Sequence, residues 1–355
     1  MCLRNLVHNT MESNTNVLYV VPDLKKVSGG PRNRISLLGQ VFKHKGDSII
    51  VGEKKLLKAI KSPSVNFTYV ESATNRIALI DLLSLSILRL KSKRVFVFIR
   101  DVYFDFFPEN YRSPKGRLLT LANHITNLFF SWIADCFFFP TNKMGAVFFR
   151  RGTYVEKPYY LLPPGVPIGL SRQDMPDFGA RPGIVYLGGT GYKNSGFEQF
   201  LEFAKLYQKY YDFFVLSGDN SLKEVLSDLP YVVWTQLPLL QIPDFLAQNN
   251  IAYAFHSRPR NDYDDLTFPI KVMDFLALGL PFVTEKHLPL VELLGVDYPL
   301  FASVADYNNI HQMLSNNYNP ERYRLLTNRF LNIANENGYE QRYAYLLSVF
   351  LSYNE

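Results

Sequence analysis

The chain has 355 residues and a mass of 41.0 kDa, with 47% hydrophobic and 20% charged residues, enough for two domains with separate cores and too apolar for a disordered chain. Its two cysteines, Cys2 and Cys136, exclude a disulfide framework or a cysteine-built metal cluster and make a reducing compartment the default. The net charge of +6 conceals an asymmetry: residues 1–165 hold 24 Lys and Arg against 11 Asp and Glu, a net of +13, while residues 166–355 hold 14 against 21, a net of −7.

Met1–Asn16 is polar, without an apolar core or a cleavage site. Residues 1–16 therefore read as a flexible extension rather than a signal peptide, with Met11 a second candidate initiator. No apolar run reaches the roughly 20 residues of a spanning helix. The longest, Ile77–Leu90 and Leu118–Phe139, are interrupted by Asp81 and by Asn123, His124, Asn127 and Asp135. The expectation is a cytoplasmic protein, soluble or peripheral at the inner membrane face. The basic first half suits an anionic membrane surface or another polyanion, or is a solubilising face. No nucleic-acid motif is present, so no nucleic-acid partner is expected.

Val17–Val21 reads as a buried strand, followed by a loop over Pro22–Ser28 and by Gly29-Gly30-Pro31 leading into a helical pattern through Arg34, Leu37, Leu38 and Val41. Gly29 and Gly30 would bring backbone close to a ligand, whereas Arg32 and Arg34 oppose the dipole at the helix start. Apolar runs recur at Ser48–Val51, Val65–Val70, Val95–Ile99 and Cys136–Phe139, mostly separated by helical stretches. The run Val95–Ile99 ends in Arg100-Asp101. Asp101 is a candidate base or hydroxyl anchor, with a structural Arg–Asp pair as the competing interpretation. Alternating strands and helices imply a parallel sheet covered on both faces.

Around Leu161–Pro167 the chain turns Pro/Gly-rich, as a linker does. New strands are expected at Gly183–Leu187, Phe213–Leu216, Tyr231–Trp234, Ile251–Phe255 and Pro281–Thr284, with helices near 196–211, 221–228, 241–249 and 269–278. The resulting division is a first Rossmann-like domain over 17–165, a second over 166–335, and a C-terminal helix over 336–355 packing back toward the first. Two doubly wound α/β domains of this kind face each other across a cleft and carry ligands at the carboxyl ends of their strands.

Chemistry is therefore sought after those strands. The loop Gly188-Gly189-Thr190-Gly191-Tyr192-Lys193-Asn194-Ser195-Gly196 can bring backbone N–H groups to a phosphate, with Lys193 as counter-charge. It is neither a Walker loop nor a GxGxxG fingerprint, and a Gly-rich βα turn is often only a turn. Ser217–Asn220 can line the same crevice. His256–Asp265 is a polar loop in which Arg258 can meet a diphosphate and Asp264 or Asp265 can hold sugar hydroxyls. The most informative segment is Thr267–Thr284. Pro269 and Ile270 begin a helix whose N-terminus suits a phosphate, Lys271 adds charge, and Asp274 lies on the same face at i+3, with Gly279 as the stop. An ordinary amphipathic helix with an i,i+3 ion pair is the competing interpretation. No G-x-S-x-G, H-E-x-x-H or Cys/His cluster is present, against hydrolase or zinc chemistry.

Taken in order, these segments resemble the retaining family 4 glycosyltransferases of GT-B architecture over nearly the whole chain. Gly29-Gly30 resembles the N-terminal glycine loop, Asp135–Thr141 the strand ending the first domain, and Pro163–Val166 the interdomain connection. Tyr186–Gly196, with Lys193, is similar to the phosphate-loop region, and Ile242–Phe255 to the helix and strand before the donor loop. Pro269–Val283 is similar to the P-x-K-x-x-E…G-x-P-v-v donor helix. Two positions depart from that pattern. The first acid of the paired acidic motif falls on Leu266, with Asp265 next door, and the basic residue usual before the phosphate lysine is missing near Gly188–Thr190.

The resemblance implies transfer of a sugar from a nucleotide-diphosphate sugar to a saccharide or lipid-linked saccharide, with retention and without a further cofactor. No metal is expected, because no DxD-type acidic cluster stands at a strand end, Asp262, Asp264 and Asp265 being the one reservation. Lys193, Arg258, Lys271 and Asp101 are the candidate catalytic residues. Gly29, Gly30, Gly188, Gly189, Lys193, Ser217, Asp265, Pro269, Ile270, Lys271 and Asp274 are the candidate donor-binding set. The alternatives are a nucleotide-sugar epimerase of the same architecture and a non-catalytic glycosyltransferase-like subunit.

Overall fold

Val17–Val21 (β1) is five consecutive apolar residues, all buried, as a strand covered by helices on both faces must be. It lies in a computed structural model that describes residues 16–25, 27, 29–51, 64–72, 79–150, 152–172, 174–191 and 195–353. Except for Asn16, the extension expected over 1–16 falls outside them. The described chain divides into two compact units. The first comprises residues up to Gly165 with Asp265–Phe268 and the segment from Tyr339 onward; the second comprises Val166–Asp264 and Pro269–Gly338. Residues 265–268 and 336–338 thus group differently from the sequence-based boundaries.

In the first unit β1 is followed by α1 (Gly29–His44), β2 (Ser48–Val51), β3 (Val65–Ser72), α2 (Leu79–Lys91), β4 (Ser92–Ile99), α3 (Tyr103–Phe106), α4 (Pro114–Ile133), β5 (Cys136–Phe139), α5 (Asn142–Arg150) and β6 (Tyr159–Leu161). All strands pair in parallel, in the order β2-β1-β3-β4-β5-β6. The order reverses between β1 and β3, and a ligand of a doubly wound sheet enters at such a switch point. The sequence gives no sign of β6, a three-residue edge strand whose side chains are all only partly buried.

The core of this unit is aromatic. It is completed by the last helix, Tyr339–Ser352, whose Phe350 stacks on Phe96 at 4.3 Å between ring centroids and whose Tyr343 meets Phe42 edge-on at 4.9 Å. Arg34, exposed to the helix dipole in the sequence view, sits on the sixth residue of α1 and is buried against Glu71 at 2.6 Å. Tyr19 and Tyr69 donate their hydroxyls to Glu71 at 3.2 and 3.3 Å, and the guanidinium lies 3.5 Å from the Phe98 ring centroid. The charge that looked like a local conflict is therefore satisfied by tertiary structure. Burial, and then the nearby Arg34 charge, push Arg342 of the last helix down to about 10.

α5 begins after Thr141, whose hydroxyl accepts the Met144 N–H at 3.1 Å and donates to the Leu266 carbonyl at 2.6 Å. One side chain caps a helix and holds the 265–268 segment to the unit. Thr141→Ala is expected to lower stability by about 1–2 kcal/mol, read as a shift of the urea midpoint at constant slope.

The second unit runs β7 (Gly183–Leu187), α6 (Phe197–Tyr207), β8 (Asp212–Leu216), α7 (Leu222–Ser227), β9 (Val232–Thr235), α8 (Ile242–Gln248), β10 (Ile251–His256), α9 (Ile270–Ala277), β11 (Phe282–Thr284), α10 (Leu288–Leu294), α11 (Tyr307–Asn317) and α12 (Pro320–Glu336); α13 (Tyr339–Ser352) belongs to the first. Its parallel sheet has the order β11-β10-β7-β8-β9, which reverses between β7 and β10. All five strands fall within one residue of the expected positions. The helix expected over 196–211 is shorter and ends at Tyr207, and the C-terminal helix expected over 336–355 runs from Tyr339 to Ser352.

Candidate functional site

The switch point of the second unit gathers most of its sequence-chosen residues. β7 ends at Leu187, so Gly188 leaves the sheet with φ +105°, while its neighbour β10 ends at His256 and delivers Ser257 and Arg258. α9 supplies the third wall. Pro269 is its N-cap (φ −73°, ψ 112°) rather than its first helical residue, so Ile270 and Lys271 hold the first two positions. The helix ends in a Schellman turn: Gly279, at φ +59°, donates to the Leu276 carbonyl at 3.1 Å, and Leu280 donates to that of Phe275 at 2.9 Å. Five buried residues, Val272, Met273, Phe275, Leu276 and Ala277, fix the face on which α9 packs.

Lys271 is held by what surrounds it. Its ammonium donates to the Tyr186 hydroxyl at 3.3 Å and lies 4.5 Å from that ring's centroid. A Cβ at Gly188 would stand 2.8 Å from Lys271 Cε and 3.3 Å from its Nζ, so only glycine lets the lysine stem lie along this turn. Tyr186 in turn donates to the carbonyls of Gly189 at 3.0 Å and Ser195 at 3.2 Å, tying the Gly-rich loop to the lysine. Burial, and then the nearby Arg258 charge, push Lys271 down to about 7; burial pushes the Asp274 carboxyl up, against the pull of Lys271. A cation at a helix N-terminus with a lowered pKa is unfavourable for the empty protein and would be relieved by an anion.

Arg258 is tied to Asp264 at 2.5 Å, and Asp264 also accepts from the Asn261 side chain at 2.5 Å. The carboxylate considered for sugar hydroxyls thus orients the arginine and the loop. Ser217 closes β8, one strand across from β7; its hydroxyl accepts the Asp219 N–H at 3.2 Å. Asp219 then accepts from Thr190 at 3.2 Å, joining the loops after β7 and β8. The remaining candidates lie elsewhere. Lys193 falls outside the described residues. Gly29 and Gly30 open α1, and Asp101 follows β4 with Arg100 on its carboxylate at 2.6 and 2.8 Å, all in the first unit. Asp265, grouped with the donor residues on sequence, also belongs to the first unit, where its carboxylate is 3.5 Å from Lys143. Leu266 beside it is fully buried.

Tyr186, His256 and His287 also belong to this site, although none of them stands out as a candidate in the sequence. His256 is buried, donates to or accepts from Thr284 at 3.1 Å through Nδ1, and its Nε2 has no partner among the described residues. Burial, Lys271, Arg258 and His287 hold it well below the usual imidazole range, so it is neutral at pH 7. The His287 ring centroid lies 6.2 Å away. The signal was available, since His256 is the last residue of a core strand whose carboxyl end faces the switch point.

No protein-family model and no curated protein sequence matches the chain. Solved structures do. The chain matches Anabaena HepE in complex with UDP-glucose at a TM-score of 0.66 and 12% identity, over 95% of this chain and 99% of that one. It matches an α-glucosyltransferase in complex with UDP and a mismatched 13-mer DNA at 0.62 and 10%, over 96% and 100%. It matches the α,α-trehalose 6-phosphate synthase of Burkholderia multivorans at 0.60 and 11%, over 96% and 98%. At these identities the likeness is one of fold: the chain has the two-domain GT-B fold that these glycosyltransferases share.

Proposed function

We propose that the chain is a glycosyltransferase that moves a sugar from a nucleotide-diphosphate sugar to a saccharide or lipid-linked saccharide. The observation that carries this reading is Lys271, in the first turn of α9, laid against Gly188 and Tyr186 at the β7/β10 switch point with Arg258 beside it. Backbone N–H groups of the helix start and of the loop after β7 would meet the diphosphate, and Lys271 and Arg258 would offset the charge that grows on it as the sugar leaves. Asp274, one turn further along α9, would hold a ribose hydroxyl. In this reading the protein's own cations meet the leaving group and no metal is needed. Retention of the anomeric configuration follows from the family resemblance. The fold neighbours with UDP or UDP-glucose support this choice of donor class.

A second reading, a subunit that binds a nucleotide without transferring sugar, is favoured by the buried Leu266 at a position where the resemblance implies an acid. One series tests both. A thermal-shift screen of UDP, GDP, ADP and CMP is expected to single out one nucleotide, with about 2.7 kcal/mol of stabilisation at a hundredfold excess over its dissociation constant. No stabilisation by any of them would overturn the donor site. Stabilisation without slow hydrolysis or transfer from the matching sugar nucleotide would decide for the second reading.

A further inference from the structure

The helices α2 and α4 of the first unit pack side by side and carry apolar side chains on the wrong face for a core. On α2, Leu83, Ile87 and Leu90 are exposed at spacings of i, i+4 and i+7, opposite the buried Leu85 and Leu88. On α4 the inversion is sharper. Leu118, Leu121, Ile125 and Trp132 are 65, 56, 51 and 67% exposed, while Asn123, Thr126, Asn127 and Ser131 are buried. The buried polar groups are satisfied largely along their own helix: Thr126 donates to the Ala122 carbonyl at 2.9 Å, Ser131 to that of Leu128 at 2.7 Å, and Asn127 to Asn123 at 3.2 Å. Scattered exposed leucines need no explanation, but a stripe along one face of each of two adjacent helices marks an interaction surface.

The charge around the stripe says what covers it. Arg112, Lys115 and Arg117 are exposed at the start of α4, and Lys91 and Lys93 stand where α2 passes into β4. No Asp or Glu occurs between Arg112 and Ala134, and the one acid of α2, Asp81, is buried. Apolar side chains with a tryptophan, beside the exposed Arg112, Lys115 and Arg117, with Glu109 of the preceding turn and the Arg-paired Asp135 as the acids at the two ends, match the boundary between acyl chains and anionic headgroups. No helix among the described residues is long and apolar enough to cross a bilayer, so the surface would lie on one. We infer that the first unit docks on an anionic membrane surface through the outer faces of α2 and α4.

The chain has two tryptophans, so Trp234→Phe leaves Trp132 as the sole reporter. In that background, vesicles of phosphatidylcholine with phosphatidylglycerol at low salt are expected to shift the Trp132 emission to the blue and to sediment the protein. Added salt should reverse both effects. Leu121→Ser with Ile125→Ser, and separately Lys115→Glu with Arg117→Glu, are expected to weaken vesicle binding about tenfold each, with unchanged circular dichroism because all four side chains are solvent-facing. No nucleotide enters the assay, so its outcome is independent of the proposed activity. Absence of binding at low salt, or binding that both double variants retain, would overturn the inference. So would a self-associating chain that ignores vesicles and becomes monomeric with Leu121→Ser and Ile125→Ser, which would assign this face to a second copy.

Discussion

Lys271→Ala is expected to slow sugar transfer by about 10²–10³-fold, or about 3–4 kcal/mol of transition-state stabilisation, with less effect on overall stability. The lysine is placed for this. It stands in the first turn of α9, where free N–H groups already favour an anion, and its stem is pinned between Gly188 and the Tyr186 ring, so little is spent on ordering it when a ligand arrives. Its pKa near 7 in the empty site gives the pH dependence. A bound diphosphate raises that pKa, so the ligand binds with a proton retained or taken up. Affinity should be flat below about pH 7, fall as the pH rises through and above it, and level off once the raised pKa is passed. The nucleotide's own phosphate titrates in the same region, and the ratio of wild-type to Lys271→Ala affinities removes that contribution. Calorimetric titrations of the preferred nucleoside diphosphate from about pH 6 to about pH 9 measure it. Equal affinities of the two proteins at every pH would show that Lys271 does not face the diphosphate, whereas a constant ratio above one would show that it does so already charged in the empty site. Lys271→Arg should not rescue, because a planar guanidinium cannot follow the path along Gly188 that the narrow lysine stem takes.

Much of this geometry was legible in the chain because it is local. The run Gly183–Leu187, the glycine after it, and the segment Pro269–Gly279 each announce their conformation through apolar continuity, backbone freedom or helix termination, and the structure reproduces them within a residue. What the sequence could not carry is tertiary partnership. Arg34 looked like a cation misplaced near a helix start until β3 brought Glu71 to it across 37 positions. Asp264 and Asp265, adjacent and chemically alike, part company: one orients Arg258 in the second unit, the other faces Lys143 in the first. His256 has no period or motif of its own, and only its place at the carboxyl end of β10 marks it. The outward stripe of α4 was visible as apolar residues, but its inversion shows only when Asn123 and Asn127 are seen to be buried.

Gly196→Ala is expected to cost about 4 kcal/mol, the largest loss of stability from adding one methyl group to the second unit. The residue caps α6 at φ +77°, a conformation that costs a side chain about 1–2 kcal/mol by itself. The added methyl would also collide with the Ser257 carbonyl and stand 2.6 Å from the Arg258 backbone nitrogen. Neither neighbour can yield by rotating, because both are main chain, and Ser257 is further held by the 2.5 Å hydrogen bond from its hydroxyl to the Gly196 carbonyl. Gly169 supplies the control. It lies in the same unit at φ +79° with nothing within 4 Å of its added methyl, so Gly169→Ala should show the conformational cost alone. The melting temperature should fall by roughly 10 °C for Gly196→Ala and by a few degrees for Gly169→Ala. Equal losses would mean that the two loops part easily. The glycine that ends the loop thus has a packing duty as well as any duty to phosphate. It lets the loop after β7 touch the loop after β10, setting Arg258 on the same side of the sheet end as Lys271. Gly196→Ala protein that still folds should therefore also bind the nucleoside diphosphate more weakly, because the methyl group displaces the backbone that carries Arg258.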